Sequence, residues 1–315
     1  WRHTAEDVGE WAFYAAVVLI ALALIKRFPY RLFAKTHHLL AVAYLVLVFH
    51  TVVLLKFDYW SQPIGWAMAL LTAAGTVSAL RVLLGRVGAG RTVGGAIEAL
   101  QHYPALGVLE TTLRVDAGWH GHRAGQFAFV TSSRAEGAHP YTIASAWHPQ
   151  DKRIAFVTKA LGDHTAELPQ TLRVGQHVTV EGPYGCFTFD GPQTRQIWIG
   201  AGIGITPFIA RMKQLAREGG GPHDIDLIHT TVVEDAVALG KMRADAQAAG
   251  IRLHVLVDAR DGLLSGERLR QMVPGWRDAS VWFCGPAGFG RALRADLQAQ
   301  GLRASAFHQE LFEMR

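Results

Sequence analysis

The segment Ile197-Trp-Ile-Gly-Ala-Gly-Ile-Gly-Ile-Thr-Pro207 decides the fold of the C-terminal part of this chain. A short apolar run ends at Ile199, a glycine-rich turn follows, and Ile209–Glu218 then has helical periodicity. A strand, a glycine turn and a helix in this order are the context required of a dinucleotide-binding loop. The glycines stand at 200, 202 and 204, so the spacing is not that of GxGxxG.

Apolar strands alternate with helical stretches around this turn, which is typical of a parallel sheet. Strands are predicted at Ile197–Ile199, Ile225–Thr231, Arg252–Val257 and Val281–Cys284, and helices at Ile209–Glu218, Val237–Ala248, Gly266–Met272 and Phe289–Gln298. Cys284 and Gly285 end a strand and would reach the same crevice at the carboxyl edge of the sheet. A buried core cysteine is the alternative for Cys284.

Shorter alternating segments separated by turn residues lie further towards the N-terminus and predict an antiparallel barrel. They are Val108–Val115, Gln126–Val130, Tyr141–Ser145, Ile154–Thr158 and His177–Glu181. Five glycines lie among residues 85–95, and that segment is predicted to be a linker.

The barrel carries a pattern that suits a flavin. In His139-Pro-Tyr-Thr-Ile-Ala-Ser145, the Tyr141 ring can pack on the isoalloxazine, and the Thr142 hydroxyl can bond near the nitrogen that takes a hydride. Lys159-Ala-Leu-Gly-Asp-His-Thr165 and Gly182-Pro-Tyr-Gly185 supply glycines and a hydroxyl where the backbone can approach a pyrophosphate. By itself, the second of these segments could also be a plain hairpin turn.

Three apolar runs occupy the N-terminal region, at Trp11–Ile25, His37–Leu55 and Pro63–Leu84. Their lengths suit membrane spans, and the alternative is a buried helical bundle in a soluble protein. Basic residues follow the first and third runs, so the positive-inside rule predicts that the soluble domains are cytoplasmic. The chain starts at Trp1 and has no signal-peptide pattern, so we expect further sequence before it.

Histidines within the second run are candidate haem ligands. His37 and His50 lie 13 positions apart, about 20 Å along a helix, which suits one ligand near each leaflet. A histidine in a membrane is costly and usually functional, and neutral imidazole ligates haem iron. His38 competes with His37 for the inner position, and a hydrogen bond between helices is the alternative role for each.

Composition narrows the possible functions. The net charge is +5 and the charged fraction 18%. Several of the early Lys and Arg residues flank apolar runs, so nucleic acid is not expected as a partner. The two cysteines, Cys186 and Cys284, form no CxxC pattern, which argues against a disulfide framework.

Together these motifs, with the C-terminal Phe307–Arg315, resemble the ferredoxin-reductase-type FAD/NAD(P) module. With histidine-bearing spans before it, the whole chain resembles the bacterial branch of the ferric reductase/NADPH oxidase superfamily. The resemblance implies that Thr142, Cys284 and Phe312 are catalytic, with Phe312 covering the flavin ring until the nicotinamide displaces it. It also implies two haem b ligands, His37 and His50. The implied cofactor-binding residues are His139, Pro140, Tyr141, Thr142, Ser145, Lys159, Gly162, Thr165, Gly182, Gly185, Gly200, Gly202, Gly204, Thr206, Cys284, Gly285 and Phe312.

This sequence departs from that superfamily in two respects. The superfamily holds each haem between the third and fifth spans, and the histidine pair of the third span is missing here. NADPH users in it often place Ser and Arg after the strand that ends at Thr231, whereas this chain has Glu234 and Asp235. These acids would repel a 2′-phosphate, so NADH is expected to serve at least as well as NADPH.

The sequence therefore predicts transmembrane α-helices over residues 1–88, an antiparallel β-barrel FAD domain over 89–192 and an α/β parallel-sheet NAD(P) domain over 193–315. We expect a multi-pass flavohaem oxidoreductase of the bacterial inner membrane. Electrons would pass from NAD(P)H through FAD and haem, first at His37 and then at His50, to ferric iron or dioxygen. One alternative is a membrane-anchored FAD/NAD(P)H reductase that serves a protein partner without haem. Another is a haem-binding membrane protein whose soluble module is degenerate.

Overall fold

The computed structural model describes residues 1–25, 30–133 and 136–310, without the side chains of residues 30–35. Within these ranges the chain forms two compact units, one from Trp1 to Gly90 and one that starts at Arg91. Phe312 lies outside the described residues, and so does the basic loop at residues 26–29. The predicted role of Phe312 therefore stays a prediction.

The first unit contains three helices. They are α1 (Arg2–Leu24), α2 (Tyr30–Leu54) and α3 (Pro63–Leu83). All three have the length and apolar composition needed to cross a membrane, with mean hydropathies of 1.7, 1.9 and 1.5. A short 3₁₀ turn at Phe57–Ser61 joins α2 to α3. Large apolar side chains stay exposed on these helices, such as Leu70 at 72% and Leu71 at 67%, which is unusual for a surface in water.

The second unit begins with an antiparallel sheet of six strands. They are β1 (Thr92–Tyr103), β2 (Val108–Val115), β3 (Phe127–Thr131), β4 (His139–Thr142), β5 (Arg153–Lys159) and β6 (His177–Tyr184). Their order is β4-β3-β6-β1-β2-β5. A bridge between Ile143 and Phe156 brings the β4 end of the sheet to β5 and closes it. The predicted antiparallel barrel is confirmed, and α4 (Asp163–Thr171) follows β5.

Strand β1 corrects the predicted linker at residues 85–95, because the strand starts at Thr92. Gly94 and Gly95 pair with β6, and Gly95 also pairs with Val115 of β2. A Cβ on Gly95 would lie 2.7 Å from the Arg114 carbonyl oxygen. Glycine in this segment therefore permits close strand packing instead of marking flexible chain.

The remainder of the second unit is a parallel sheet of five strands in the order β11-β10-β7-β8-β9. The strands are β7 (Arg195–Ala201), β8 (Asp224–Thr231), β9 (Arg252–Val257), β10 (Ser280–Cys284) and β11 (Phe307–Glu310). The helices are α5 (Thr206–Glu218), α6 (Ala236–Ala248), α7 (Asp258–Asp261), α8 (Gly266–Met272) and α9 (Ala287–Ala299). The predicted parallel sheet is confirmed, and β11 is an additional strand. The strand order reverses between β7 and β10, which is where open sheets of this type bind ligands.

Aromatic side chains join the two sheets into one unit. Phe187 and Phe189, in the segment between β6 and β7, pack against Trp198 and Trp282 with ring centroids 4.9–5.3 Å apart. Lys241 of α6 reaches the barrel: its ammonium lies 2.7 Å from the Tyr103 hydroxyl and 3.0 Å from a Glu110 carboxylate oxygen. The barrel and the parallel sheet are thus fixed to each other by buried aromatic packing and a partly exposed polar contact.

Candidate flavin, nucleotide and haem sites

Strand β4 carries the predicted flavin residues His139, Pro140, Tyr141 and Thr142, all half-buried. Burial raises the pKa of Tyr141 to about 12. Its hydroxyl lies 2.9 Å from Nε2 of His164. The Ser145 hydroxyl accepts a hydrogen bond from the Ala155 amide at 3.0 Å. That contact gives Ser145 a structural role in joining β5 to the segment after β4.

A histidine pair lies beside this strand. The His139 and His164 rings stack at 3.7 Å with an interplanar angle of 9°, and a Glu136 oxygen lies 3.9 Å from the first and 3.6 Å from the second. The three ligand atoms lie within 4.8 Å of one another and could approach one metal ion. Parallel rings, however, do not direct two lone pairs at one point between them. Since His164 also stands in the first turn of α4, where the helix dipole favours negative charge, the geometry suits an anion better.

The N-terminus of α4 carries Gly162 and Thr165 from the predicted phosphate-side segment. The Thr165 hydroxyl accepts hydrogen bonds from the Leu161 and Gly162 amides at 3.0 and 3.2 Å, so it shapes the loop. Gly162 is exposed, and a Cβ on it would have nothing within 4 Å. The backbone is therefore open to a ligand at this point. Lys159 is half-buried at the end of β5.

Gly182 and Gly185 do not form a hairpin turn, because β6 runs through this segment as far as Tyr184. Gly182 lies within β6, and Gly185 follows that strand with φ +101°. A Cβ on Gly185 would lie 3.2 Å from the Phe127 ring. The Tyr184 hydroxyl between them donates to a Glu181 oxygen at 2.7 Å. The strand thus continues to Tyr184, and the hairpin alternative for this segment is wrong.

The predicted nucleotide loop forms a 3₁₀ turn, Gly202–Ile205, between β7 and α5, and it lies against β5 of the barrel. Its glycines have different roles. A Cβ on Gly200 would lie 2.9 Å from the Ile205 Cα, and a Cβ on Gly204 would lie 2.1 Å from the Cys284 carbonyl oxygen. Gly202, with φ +55°, faces open space. Close packing therefore requires glycine at 200 and 204, and a ligand can approach at 202.

Two further contacts hold this loop in place, and both use side chains inside the protein. The buried Thr206 hydroxyl donates to the Ile203 carbonyl at 2.7 Å, so its predicted contact with the nucleotide would have to replace that bond. His229 of β8 lies 2.9 Å from the Gly200 carbonyl through Nδ1. Burial lowers the pKa of His229, which keeps the ring neutral and Nδ1 protonated toward that carbonyl. Sequence reasoning missed His229, which carries no motif.

Cys284 and Gly285 lie at the carboxyl end of β10, beside the glycine turn. Cys284 is fully buried and pairs with Gly200 of β7 on one side and Glu310 of β11 on the other. Burial raises the pKa of the Cys284 thiol, so the thiol stays protonated at neutral pH. Burial also raises the pKa of Glu310. Glu310 is therefore a further candidate residue for the nucleotide site at this edge. The sequence did not reveal it, because its position depends on the pairing of β11 with β10.

The acidic segment after β8 is less repulsive than the sequence indicates. Asp235 caps α6 and accepts hydrogen bonds from the Val237 and Ala238 amides at 3.0 and 2.9 Å. Glu234 is paired with Arg260 at 2.8 Å. Both carboxylates therefore have local partners, and Arg260 brings a positive charge to the place where a 2′-phosphate was predicted to meet repulsion.

The candidate haem ligands His37 and His50 lie on the single helix α2. His50 is half-buried, and its Nδ1 lies 2.7 Å from the carbonyl oxygen of Ala5 on α1. This is the hydrogen bond between helices that the sequence left as the alternative role. It engages Nδ1, and imidazole also ligates metals through Nε2. His37 and His38 are both exposed, so the structure does not choose between them.

Comparisons with known proteins support the flavin part. Residues 100–188 match the family model described as "FAD-binding domain". Respiratory burst oxidase homolog protein E of Arabidopsis thaliana is 29% identical over 211 residues, which cover 58% of this chain and 21% of the relative. The ferredoxin reductase component of 3-ketosteroid-9-alpha-monooxygenase from Mycobacterium tuberculosis is 30% identical over 178 residues, 55% of this chain and 49% of the relative. The chain thus spans half or less of the length of these relatives.

Solved structures share the fold. The Amycolatopsis cytochrome P450 reductase GcoB has a TM-score of 0.57 and 21% identity, with 70% of each chain covered. The flavohemoglobin from Malassezia yamatoensis with bound FAD and heme has a TM-score of 0.61 and 19% identity, covering 92% of this chain and 82% of that one.

These findings define the class of the second unit. It has a ferredoxin-reductase-type fold, in which an antiparallel sheet that matches an FAD-binding domain precedes a parallel sheet. The prediction that the chain is an NAD(P)H-dependent oxidoreductase is confirmed at this level. The open space beside Gly162, at the α4 N-terminus, would admit an FAD pyrophosphate.

Proposed function

We propose that this chain is the reducing part of a membrane flavohaem oxidoreductase, which transfers electrons from NAD(P)H across a bilayer to ferric iron or dioxygen. One arrangement supports the proposal above all others: an apolar helix that carries His37 and His50 precedes an FAD-binding region in the same chain. The bond of His50 through Nδ1 is compatible with ligation of iron through Nε2. Bound FAD would accept a hydride and bound haem would carry single electrons, so the chemistry belongs to those groups. The protein binds and orients them.

On the flavin side, β4 and the α4 N-terminus would hold the two ends of FAD. Tyr141 would offer its ring to the isoalloxazine, and Thr142 would offer its hydroxyl for a hydrogen bond. The stacked histidines and the open backbone at Gly162 would receive the phosphates, in exchange for the Glu136 carboxylate that now lies near both rings.

On the nucleotide side, NAD(P)H would bind across the switch point between β7 and β10. The open space beside Gly202 would admit the phosphates. The protonated Cys284 thiol and Glu310 lie at the adjoining strand ends. Because Glu234 and Asp235 are both engaged, we expect NADH and NADPH to be used comparably, with NADH at least as effective.

The three apolar helices would lie in the inner membrane of a bacterium, with the soluble unit in the cytoplasm. His37 would then hold the inner haem b and His50 the outer one. Each haem needs a second ligand from another segment, since α2 supplies one per haem.

The test is haem content in the full-length protein purified in detergent, measured by the Soret absorbance per flavin. We expect His50→Ala and His37→Ala each to lose one haem, with His38→Ala as the matched control that keeps both. Haem loss in His38→Ala but not in His37→Ala would mean that His38, and not His37, is the ligand of the inner haem.

The second candidate function is a membrane-anchored reductase that serves a protein partner. It is favoured by the relative that is itself a ferredoxin reductase component. A yellow wild-type protein without a Soret band would support this candidate and end the haem proposal.

A further inference from the structure

His50 is held by the N-terminal part of α1. Its Nδ1 lies 2.7 Å from the carbonyl oxygen of Ala5, a residue with no exposed surface. A carbonyl oxygen only accepts hydrogen bonds, so Nδ1 must carry the proton. In a neutral imidazole the other nitrogen, Nε2, then carries the lone pair that a metal ligand needs.

Gly9, one turn further along α1, provides the space for this ring. A Cβ at Gly9 would lie 2.0 Å from Nδ1 and 2.5 Å from Cγ of His50. Both atoms belong to the ring itself, so the imidazole would have to move. Glycine is less favourable than alanine inside a helix, and here it allows the ring to reach the Ala5 carbonyl.

We propose that Ala5 and Gly9 of α1 position His50 as a haem ligand. The Ala5 carbonyl fixes the tautomer and the orientation of the ring, and Gly9 leaves the space that the ring occupies. Metal-bound histidines generally donate their second N–H to such an acceptor, which orients the ring and strengthens it as a donor. This inference rests on the proposed function, and it assigns to α1 a role that neither the motifs nor the comparisons give it.

The experiment compares Gly9→Ala with Gly75→Ala in the full-length protein. Gly75 of α3 is a matched control, because a Cβ there would lie 1.9 Å from the Tyr44 hydroxyl, an equally close contact that involves no histidine. The measurements are haem per flavin, the low-spin ferric EPR signal and the midpoint potential of each haem.

We expect Gly9→Ala to lose one haem. If ligation survives, we expect a shifted EPR signal and a more positive midpoint potential for one haem, because the ligand loses the hydrogen bond that strengthens it. Gly75→Ala should match the wild type in all three measurements. Equal spectra and potentials in the two variants would overturn the positioning role while leaving the haem proposal intact.

A second measurement needs no variant. Electron–nuclear double resonance of the ferric wild-type protein in heavy water should detect a ligand N–H proton that exchanges slowly, as expected for a proton shared with a buried carbonyl. A rapidly exchanging ligand proton would overturn the proposal. A wild-type protein without haem would overturn the proposed function instead, together with the ligand role of His50.

Discussion

At the scale of single residues, the environment separates residues that the motifs treat alike. Gly162 and Gly204 both belong to predicted phosphate loops, yet the first faces open space and the second abuts the backbone of β10. The hydroxyl groups of Thr165 and Thr206 are already bonded to their own loops. A substitution tests ligand binding most directly where the residue has open space beside it, because there the new side chain meets the ligand and not the protein.

Gly162→Val tests the phosphate end of the flavin site. The φ of Gly162 is −160°, which any residue adopts, and a Cβ there meets nothing within 4 Å. We therefore expect the variant to fold normally but to retain less FAD, because the added side chain occupies the ligand's space. Flavin content after purification is the measurement, with the melting temperature as the control for folding.

Thr142→Ala is the companion variant at the other end of FAD. Loss of one hydrogen bond costs roughly 1 kcal/mol, so we expect a several-fold slower flavin reduction or weaker binding, and recovery in Thr142→Ser. Normal flavin content and reduction in both Gly162→Val and Thr142→Ala would mean that FAD binds elsewhere.

Glu234→Gln tests the choice between nucleotides. Removing this carboxylate leaves Asp261, at 3.0 Å, as the remaining ion-pair partner of the Arg260 guanidinium. The positive charge is then less fully compensated, so we expect kcat/KM for NADPH to rise several-fold relative to NADH. Asp235→Ser is the control. Serine can still cap α6, and the substitution removes a carboxylate that already accepts hydrogen bonds from that helix. A wild-type preference of a hundredfold for NADPH, about 2.7 kcal/mol, would contradict the present assignment.

At the scale of elements, the edge between β7 and β10 organises the nucleotide site. The glycine turn after β7 and the Cys284–Gly285 segment after β10 pack backbone to backbone. Parallel pairing in register, Cys284 with Gly200 and with Glu310, aligns three strand ends. Two features therefore set the position of the Gly202–Ile205 turn. One is the pairing of β7 with β10, and the other is the close contact of Gly204 with the Cys284 carbonyl, which leaves no room for a side chain.

Gly204→Ala is expected to displace the turn. Its Cβ would lie 2.1 Å from the Cys284 carbonyl oxygen, and a backbone atom cannot rotate away. We expect a higher KM for NADH and a lower melting temperature. Gly202→Ala is the comparison, because it strains φ +55° by roughly 1 kcal/mol without a clash. We expect it also to raise KM for NADH, since the methyl group narrows the approach of the ligand, but to lower the melting temperature less than Gly204→Ala does. Equal effects of the two variants would contradict this division of roles.

The opposite edge of the same sheet is held by charge. Asp226 of β8, 3% exposed, accepts hydrogen bonds from Arg195, Arg252 and His254 at 2.7–2.9 Å. Burial by itself would raise the pKa of Asp226, but the bonds from Arg252 and His254 outweigh it, and the pKa is lowered. The ionised carboxylate thus joins β7, β8 and β9.

Asp226→Asn should destabilise the second unit by about 3 kcal/mol, the lower end for a broken buried ion pair. Because the folded-state pKa is lowered, the contribution is complete above the unfolded pKa of about 3.9 and is lost as pH falls below it. Melting temperatures can be measured from the rise in flavin fluorescence on unfolding. The difference between variant and wild type should be constant near neutral pH and shrink in acid. A pH-independent difference would indicate a packing effect.

At the scale of the whole molecule, the chain combines two units with different surfaces. The first exposes apolar helices, whereas the second buries its apolar residues in cores around its two sheets. The covalent order joins histidine-bearing helices to an FAD-binding region in one polypeptide. Under the proposed function, hydride transfer belongs to the second unit and electron transfer through haem to the first.

His50→Ala should separate these two activities in the full-length protein. Flavin reduction by NADH should proceed at the wild-type rate, because the flavin site lies in a different unit, while reduction of an external acceptor should stop. Stopped-flow absorbance at the flavin band and acceptor reduction by the same samples are the measurements. Slower flavin reduction in His50→Ala would contradict the independence of the two units.

Most elements could be predicted from the sequence in kind and in order, although β1, α4, α7 and β11 could not. Alternation with a period of two predicted β2 to β6, and the alternation of strands with helices predicted β7 to β10, because local burial fixes these periods. The apolar helices followed from composition alone. The HPYT and glycine-turn segments could be recognised because their residue types serve local backbone and ring chemistry.

Which residues share a site depends on contacts between distant parts of the chain. Strand β1 was hidden because its glycines, which allow close pairing, read as a linker in isolation. Glu310 and His229 became candidates only when pairing of β11 with β10 and packing of β8 brought them to the glycine turn. The engagement of Glu234 by Arg260 and of His50 by Ala5 joins residues 26 and 45 positions apart. Such contacts depend on how the chain folds back on itself, which no local pattern specifies.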